Sequence, residues 1–334
     1  MNVDFHIAYV SDNGYLKPTY VSICSALKHT REPSRLVFDV LDCGISTDHW
    51  DEFELGIYSR FPAARIQRHL IDMKMFDGCS PYGGSLATYA RVLPCALLPD
   101  VKWCLFSDGD VLFVDDPLKL EDFYDDGKIV VGHVDYVGEV PDEEWIRSKE
   151  VWFKDNGLEF DPNQFVCMGF VLMNLQKMRE FDFVKKCIGG FKQFTESASA
   201  DQETINVVCR GAIGFMPKEW GVYNLGLFLD PSFVPSAIHF VYGKPWLLNA
   251  RWTRGISDAD LIWLRYAHKV SGFSYLSTYV SVSFARRFIC RQVLRLRLLG
   301  DGKFYRLPLR SRNAYRGMFA NSSVHEALNS RFKD

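Results

Sequence analysis

Nothing in this 334-residue sequence pairs its cysteines. There are nine, an odd number, and no two are spaced C-x-x-C. That argues against a disulfide framework and against a structural zinc site. The start, MNVDFHIAYVSD, has neither a basic leader nor a long apolar segment, so no signal peptide is expected. No stretch reaches the ~18 uninterrupted apolar residues of a spanning helix. From these absences a cytoplasmic chain is expected. A glycine-rich G-x-G-x-x-G turn is missing, and so is a Walker-type lysine loop, which argues against a dinucleotide or P-loop site.

What is present describes a globular protein. The hydrophobic share of 48% and charged share of 24% are ordinary, while the aromatic share of 15% is high and suits extended aromatic packing or a sugar-binding cleft. The length is enough for one large α/β domain or two smaller ones. A net charge of −2 hides an asymmetry: residues 281–334 hold twelve Lys/Arg against three Asp/Glu, and residues 1–280 hold 27 against 38. A split of this kind suggests a tail with its own partner.

The most informative stretch is WCLFSDGDVLFVDDPL, residues 103–118. An apolar run, Trp103 to Phe106, reads as a buried strand and stops at Ser107-Asp108-Gly109-Asp110 before a second run, Val111 to Val114. A buried carboxylate without a partner is expensive, so Asp108 and Asp110 need a counter-charge, for which a divalent cation is the simplest source. Their spacing of two puts both on one side of an extended chain. A bend at Gly109 would wrap them round one ion and leave room for a ligand. Carboxylate oxygens suit Mg²⁺ or Mn²⁺. The competing reading is a plain turn, since Asp-Gly is also a hairpin signal.

Around this stretch the chain alternates. Strands are expected at Phe5–Val10, Leu36–Leu41 and Arg65–Leu70, with helices at Tyr20–Leu27 and His49–Phe61. This rhythm implies a parallel sheet. A helix bent near Pro94 covers Ser85–Leu97 and carries Arg91. Lys128–His133, Phe165–Leu175 and Ile213–Pro217 read as strands, Met178–Thr195 and Ala200–Val208 as helices, and 136–160 as a long polar loop. Asp201 fits a helix N-cap, which leaves Gln202 unexplained. In IHFVYGKPW (238–246), His239 is a candidate third metal ligand and Lys244 a candidate phosphate partner. From Ser274 to Leu299 the chain reads as one long amphipathic helix or two shorter ones, with interleaved arginines. An anionic membrane surface is the favoured partner for 281–320, over a solvated basic face or nucleic acid.

Six motifs, in this order, resemble the retaining glycosyltransferases of family 8: FHIAYVSDNGY (5–15), TYAR (88–91), FSDGDVLFVDDP (106–117), CMGFVLMNL (167–175), DQETIN (201–206) and HFVYGKPW (239–246). The resemblance covers about 5–270. It implies a GT-A fold: one Rossmann-like nucleotide-binding domain merged with an acceptor subdomain. We therefore expect a catalytic domain at 1–250 and a helical, basic, membrane-associating region at 251–334. The resemblance also implies a UDP-hexose donor (galactose or glucose) bound through Mn²⁺, with Mg²⁺ the alternative ion.

By matching position, Asp108, Asp110 and His239 are the metal ligands. Val10, Ser11 and Asp12 surround uridine. The resemblance implies that Lys244 holds the donor diphosphate, that Gly109 and Gly243 are donor-binding, and that Arg91 lies near the donor sugar and the aspartates. Asp201 contacts sugar hydroxyls, and Gln202 faces the anomeric carbon. Cys167 stands where many relatives carry an asparagine that touches the donor sugar, and the His-to-Lys spacing is one residue shorter than usual. Gln202 is an amide and a poor nucleophile, so acceptor attack from the leaving-group face is expected. The expected acceptor is a cell-surface glycan or glycolipid, such as a lipopolysaccharide, O-antigen or capsule precursor. It would be reached from the inner face of the cytoplasmic membrane, with no nucleic acid involved. A glycogenin-like self-glucosylating primer and a non-catalytic sugar-nucleotide-binding module are the alternatives.

Overall fold

The structure, a computed structural model, describes residues 3–136, 143–194, 201–224, 234–241, 244–246 and 258–272. Its centre is a seven-stranded sheet in the order β3-β2-β1-β4-β7-β6-β8. The strands are β1 Phe5–Ser11, β2 Leu36–Asp42, β3 Arg65–Leu70, β4 Trp103–Ser107, β6 Val130–Val134, β7 Val166–Asn174 and β8 Ile213–Phe215. β3, β2, β1 and β4 run parallel, and β7 is antiparallel to both of its neighbours. The sheet is GT-A-like, as the resemblance implies, and mixed rather than wholly parallel. Every residue of β2, β4 and β7 is buried, which is why β4 and β7 read as nearly continuous apolar runs, while β2 carries a buried aspartate, Asp39, within its apolar sequence.

Two helices of fourteen residues, α1 Leu16–His29 and α2 Thr47–Arg60, make the crossovers between the first three strands. α1 begins four residues ahead of the expected start, because Pro18 in its first turn lacks only an N–H that has no helical partner there. The segment expected as one bent helix is a short 3₁₀ turn, Ala87–Val92, followed by α3 Pro94–Leu97.

Within the expected loop at 136–160, the structure places a helix, α4 Glu143–Asp155. Trp145, Trp152 and Phe153 line its inner face. Lys149 interrupts that stripe, and it is itself buried, its ammonium donating to Glu203 at 2.6 Å. The segment expected as one helix from Met178 divides into α5 Leu175–Glu180 and α6 Phe183–Gln193. The break is Asp182, the described non-glycine residue with positive φ, at 54°. α7 covers Gln202–Val208.

A second sheet of three short strands, β5 Val111–Phe113, β10 Ala237–His239 and β9 Trp220–Tyr223, stands beside the first. β9 has no counterpart in the sequence reading. The last described helix, α8 Asp258–Lys269, lies past residue 250. It buries Ile262, Trp263, Leu264 and Tyr266 in the same core as α1 and β1, and its Tyr266 hydroxyl bonds His29 at 2.9 Å. The basic stretch 281–320 lies outside the described residues. Among the described residues no helix is long and apolar enough to cross a membrane.

Candidate active site

Asp108, Gly109 and Asp110 join the two sheets. The apolar run before them enters the large sheet as β4, and the run after them enters the small sheet as β5. They are therefore not the tip of a hairpin. β1 and β4 pair in parallel through Ala8 and Phe106, so the Val10–Asp12 corner and Asp108 leave the same edge, where α/β sheets bind ligands.

Pairing fixes the surroundings of the two aspartates. Asp108 N donates to the Gly169 carbonyl on β7 at 2.7 Å. On the other side β10 pairs antiparallel with β5, His239 opposite Val111, and Phe240 N donates to the Asp110 carbonyl at 2.9 Å. His239 is thus delivered beside Asp110 by strand register, across 129 residues of sequence. Its Nε2 lies 3.1 Å from Asp110 Oδ1 and 3.7 Å from Asp108 Oδ2. A side chain at Gly169 would strike both the Asp108 carboxylate and the His239 ring, so glycine is required there by close approach. The space beside Gly109 belongs to Thr19 of α1; it is not the open room for a ligand that the sequence suggested.

Each aspartate has its own cation. Arg91 is 8% exposed, its guanidinium over the Phe106 ring, not solvated as a lone helical arginine usually is. It donates to Asp108 Oδ1 at 3.2 Å and lies 2.8 Å from Asp201 Oδ2. Thr88 completes this cluster by donating to Asp201 Oδ1 at 2.8 Å. The Asp201 carboxylate is therefore held by Arg91 and Thr88, and it makes no capping bond to α7. Lys244 pairs with Asp110 Oδ2 and faces the rings of Tyr15 and Trp246.

The electrostatics separate the two acids. Burial raises Asp108 to about 6, with Asp110 adding to the rise and Arg91 and His239 opposing it. Burial would raise Asp110 too, but Lys244 and His239 hold it well below the carboxylate range. His239 rises to about 10 because the neighbouring Asp110 charge outweighs its burial.

One oxygen of each aspartate and a nitrogen of His239 lie within 4.8 Å of one another. Asp110 Oδ1 is buried and has no hydrogen bond. Two hard carboxylates, an imidazole and an oxygen left without a donor fit a divalent cation.

Gln202 begins α7 facing the same region. Its Oε1 accepts from Met168 N at 3.0 Å and its Nε2 donates to Asp135 Oδ2 at 2.6 Å. Tyr223 donates to the other oxygen of Asp135, and burial raises that carboxyl to about 6. Asp135 and Tyr223 were not singled out in the sequence; they come from segments without a recognisable motif, and only β6 and β9 bring them together. Cys167 lies between His133 and His239, its sulfur 3.8 Å from His239 Nδ1. Burial alone would raise its thiol, but His133 and His239 hold it well below its usual range. Ser11 is buried, and Asp12 uses Oδ1 to accept from Gly14 N and Tyr15 N at 2.9 and 3.0 Å, which shapes the turn into α1. Gly243 lies outside the described residues.

A GT-A-like sheet carrying an acid-x-acid turn at its ligand edge defines a class of sugar transferases. The chain belongs to glycosyl transferase family 8, whose signature matches residues 6–250, and it is a glycosyltransferase. It is similar to a probable galacturonosyltransferase-like protein of Arabidopsis thaliana, with 22% identity over 262 residues, covering 72% of this chain and 71% of that one. Among solved structures it resembles the galactosyltransferase LgtC in complex with donor and acceptor sugar analogues, with a TM-score of 0.63 at 20% identity, covering 80% of this chain and 96% of that one. Mouse xyloside xylosyltransferase 1 gives a TM-score of 0.51 at 12% identity, covering 72% and 99%.

Proposed function

We propose that this glycosyltransferase moves a hexose, galactose or glucose, from its UDP-sugar to a glycan or glycolipid acceptor with retention of configuration. The observation that carries the proposal is the convergence of Asp108, Asp110, His239 and Lys244 at the ligand edge of a family 8 domain. Asp108, Asp110 and His239 would hold Mn²⁺ or Mg²⁺. A divalent cation there supplies positive charge to the departing diphosphate. Lys244 has three N–H donors, enough to hold Asp110 and a diphosphate oxygen together. Val10, Ser11 and Asp12 border the nucleoside, and Arg91 and Asp201 take the sugar hydroxyls.

Gln202 has both amide atoms engaged and carries no charge. It serves in this proposal to orient the sugar, and the acceptor hydroxyl attacks from the leaving-group face, passing its proton to a phosphate oxygen. A glutamine-to-glutamate active-site variant is among the solved LgtC structures resembling this chain. Finding a glycosyl group trapped on the wild-type protein would sink this part.

The basic stretch 281–320 supports a peripheral site on an anionic membrane at the inner face of the cytoplasmic membrane. That placement suits a lipid-linked acceptor such as a lipopolysaccharide, O-antigen or capsule precursor. Sedimentation with anionic vesicles at low salt tests it; a chain that stays in the supernatant overturns it. The donor is tested by UDP release from UDP-galactose and UDP-glucose, assayed separately with Mn²⁺ and without acceptor. Slow release from one donor supports the proposal, and release from neither contradicts it.

A further inference from the structure

His239 uses its two ring nitrogens in opposite directions. Nε2 faces the aspartates, and Nδ1 faces the Cys167 sulfur. His133 stands on the far side of that sulfur. One nitrogen from each imidazole and Cys167 Sγ lie within 4.8 Å of one another, and all three residues are buried. His133 Nδ1 is 2.9 Å from the Val134 carbonyl. A carbonyl only accepts, so the ring proton sits on Nδ1 and Nε2 keeps its lone pair. That Nε2 is buried and without a hydrogen-bond partner, in a residue only 4% exposed. Leaving an interior acceptor unsatisfied is costly. The ring is nonetheless seated with care: at Gly221, with φ of 98°, any side chain would collide with it.

We infer that His133, Cys167 and His239 form a second cation site, suited to one zinc-class ion and sharing His239 with the aspartate side. The donor sets differ in kind. Two carboxylates and an imidazole suit Mn²⁺ or Mg²⁺, while a thiolate and two imidazoles suit zinc. Tetrahedral zinc places a sulfur and a nitrogen ligand about 3.6 Å apart; the Cys167 sulfur and His239 Nδ1 are 3.8 Å apart. On binding, the Cys167 thiol loses its proton to solvent, and where Nε2 also holds a cation the His239 ring gives up its N–H proton to solvent and bridges the two ions as imidazolate. Two cations on one imidazole repel each other, and the coupling is reciprocal: zinc weakens Mn²⁺ binding by the factor by which Mn²⁺ weakens zinc. The absence of paired cysteines argued against zinc in sequence, but these three ligands are drawn from three strands and share no spacing pattern.

Cobalt reports on such a site because thiolate ligation adds a near-ultraviolet charge-transfer band. Full-length chain stripped of metal with EDTA is titrated with Co²⁺ without oxygen. The band is expected to grow to one cobalt per chain, to bleach when Zn²⁺ is added, and to survive Asp110→Asn. It is expected to vanish in Cys167→Ser and in His133→Gln, with circular dichroism checking that each variant folds. In a parallel arm, Zn²⁺ raises the apparent Kd for Mn²⁺, read from the free-ion paramagnetic resonance signal, about tenfold or more in wild type and not in Cys167→Ser. No band in wild type, or a band that persists in Cys167→Ser, overturns the inference. The Asp110→Asn arm keeps its failure separate from failure of the aspartate site.

Discussion

The β1–β3 edge of the sheet and the β4–β5 turn each bury a carboxylate beside histidine. At the edge, Asp39 is fully buried on β2. His6 Nδ1 lies 2.8 Å from one of its oxygens and His69 Nε2 lies 2.9 Å from the other. Burial would raise this acid, but the two histidine hydrogen bonds bring it below the usual range. At the turn, Asp110 is 3% exposed and also meets a histidine, yet its Oδ1 has no hydrogen bond. Two residues away, Asp108 is raised to about 6. Asp39, which serves the fold, has both carboxylate oxygens hydrogen-bonded. The turn carries an unsatisfied oxygen and two acids with opposed pKa shifts, the pattern expected where a ligand completes the set.

Substitutions should separate these two roles. Asp110→Asn is expected to cut UDP-sugar turnover by about 10²–10³-fold, the loss seen when one charge-stabilising group is removed, while the urea midpoint moves little. Gly169→Ala pushes a methyl against Asp108 and His239; overpacking of this kind costs about 1–3 kcal/mol, which should appear as weaker Mn²⁺ binding in calorimetry.

Asp39→Asn should do the converse. It is expected to lower stability by about 1–3 kcal/mol in urea denaturation and to leave turnover per folded molecule unchanged. Thr88→Val removes one hydrogen bond to Asp201, worth about 1 kcal/mol, and should slow turnover about fivefold.

The smallest effect is in pH. A lowered folded-state pKa makes Asp39 stabilising above about pH 4 and removes that benefit as pH falls through its folded value. The melting gap between wild type and Asp39→Asn should therefore close on acidification. A gap that stays constant would contradict this assignment.

The same contrast explains what was legible in the sequence. β4 was readable because Trp103 to Phe106 form an unbroken buried apolar run, and β1 and β2 because their buried residues are mostly apolar. The aspartate pair was readable because two acids interrupt such runs. α4 was not, because Lys149 occupies its apolar stripe and its partner Glu203 lies 54 residues away. His133, Asp135 and Tyr223 each look ordinary in their own segments; β-pairing and the close approach of His133 to Gly221 assemble them. Asp201 read as a helix cap because local spacing cannot display a distant Arg91.

The central claim is that a cation at Asp108, Asp110 and His239 carries the donor's diphosphate. Calorimetry of UDP binding to EDTA-treated chain, with and without Mn²⁺, tests it most directly. The account predicts tight binding only with Mn²⁺, and its loss in Asp110→Asn. Equal binding without the cation, or undiminished binding in the variant, would contradict it.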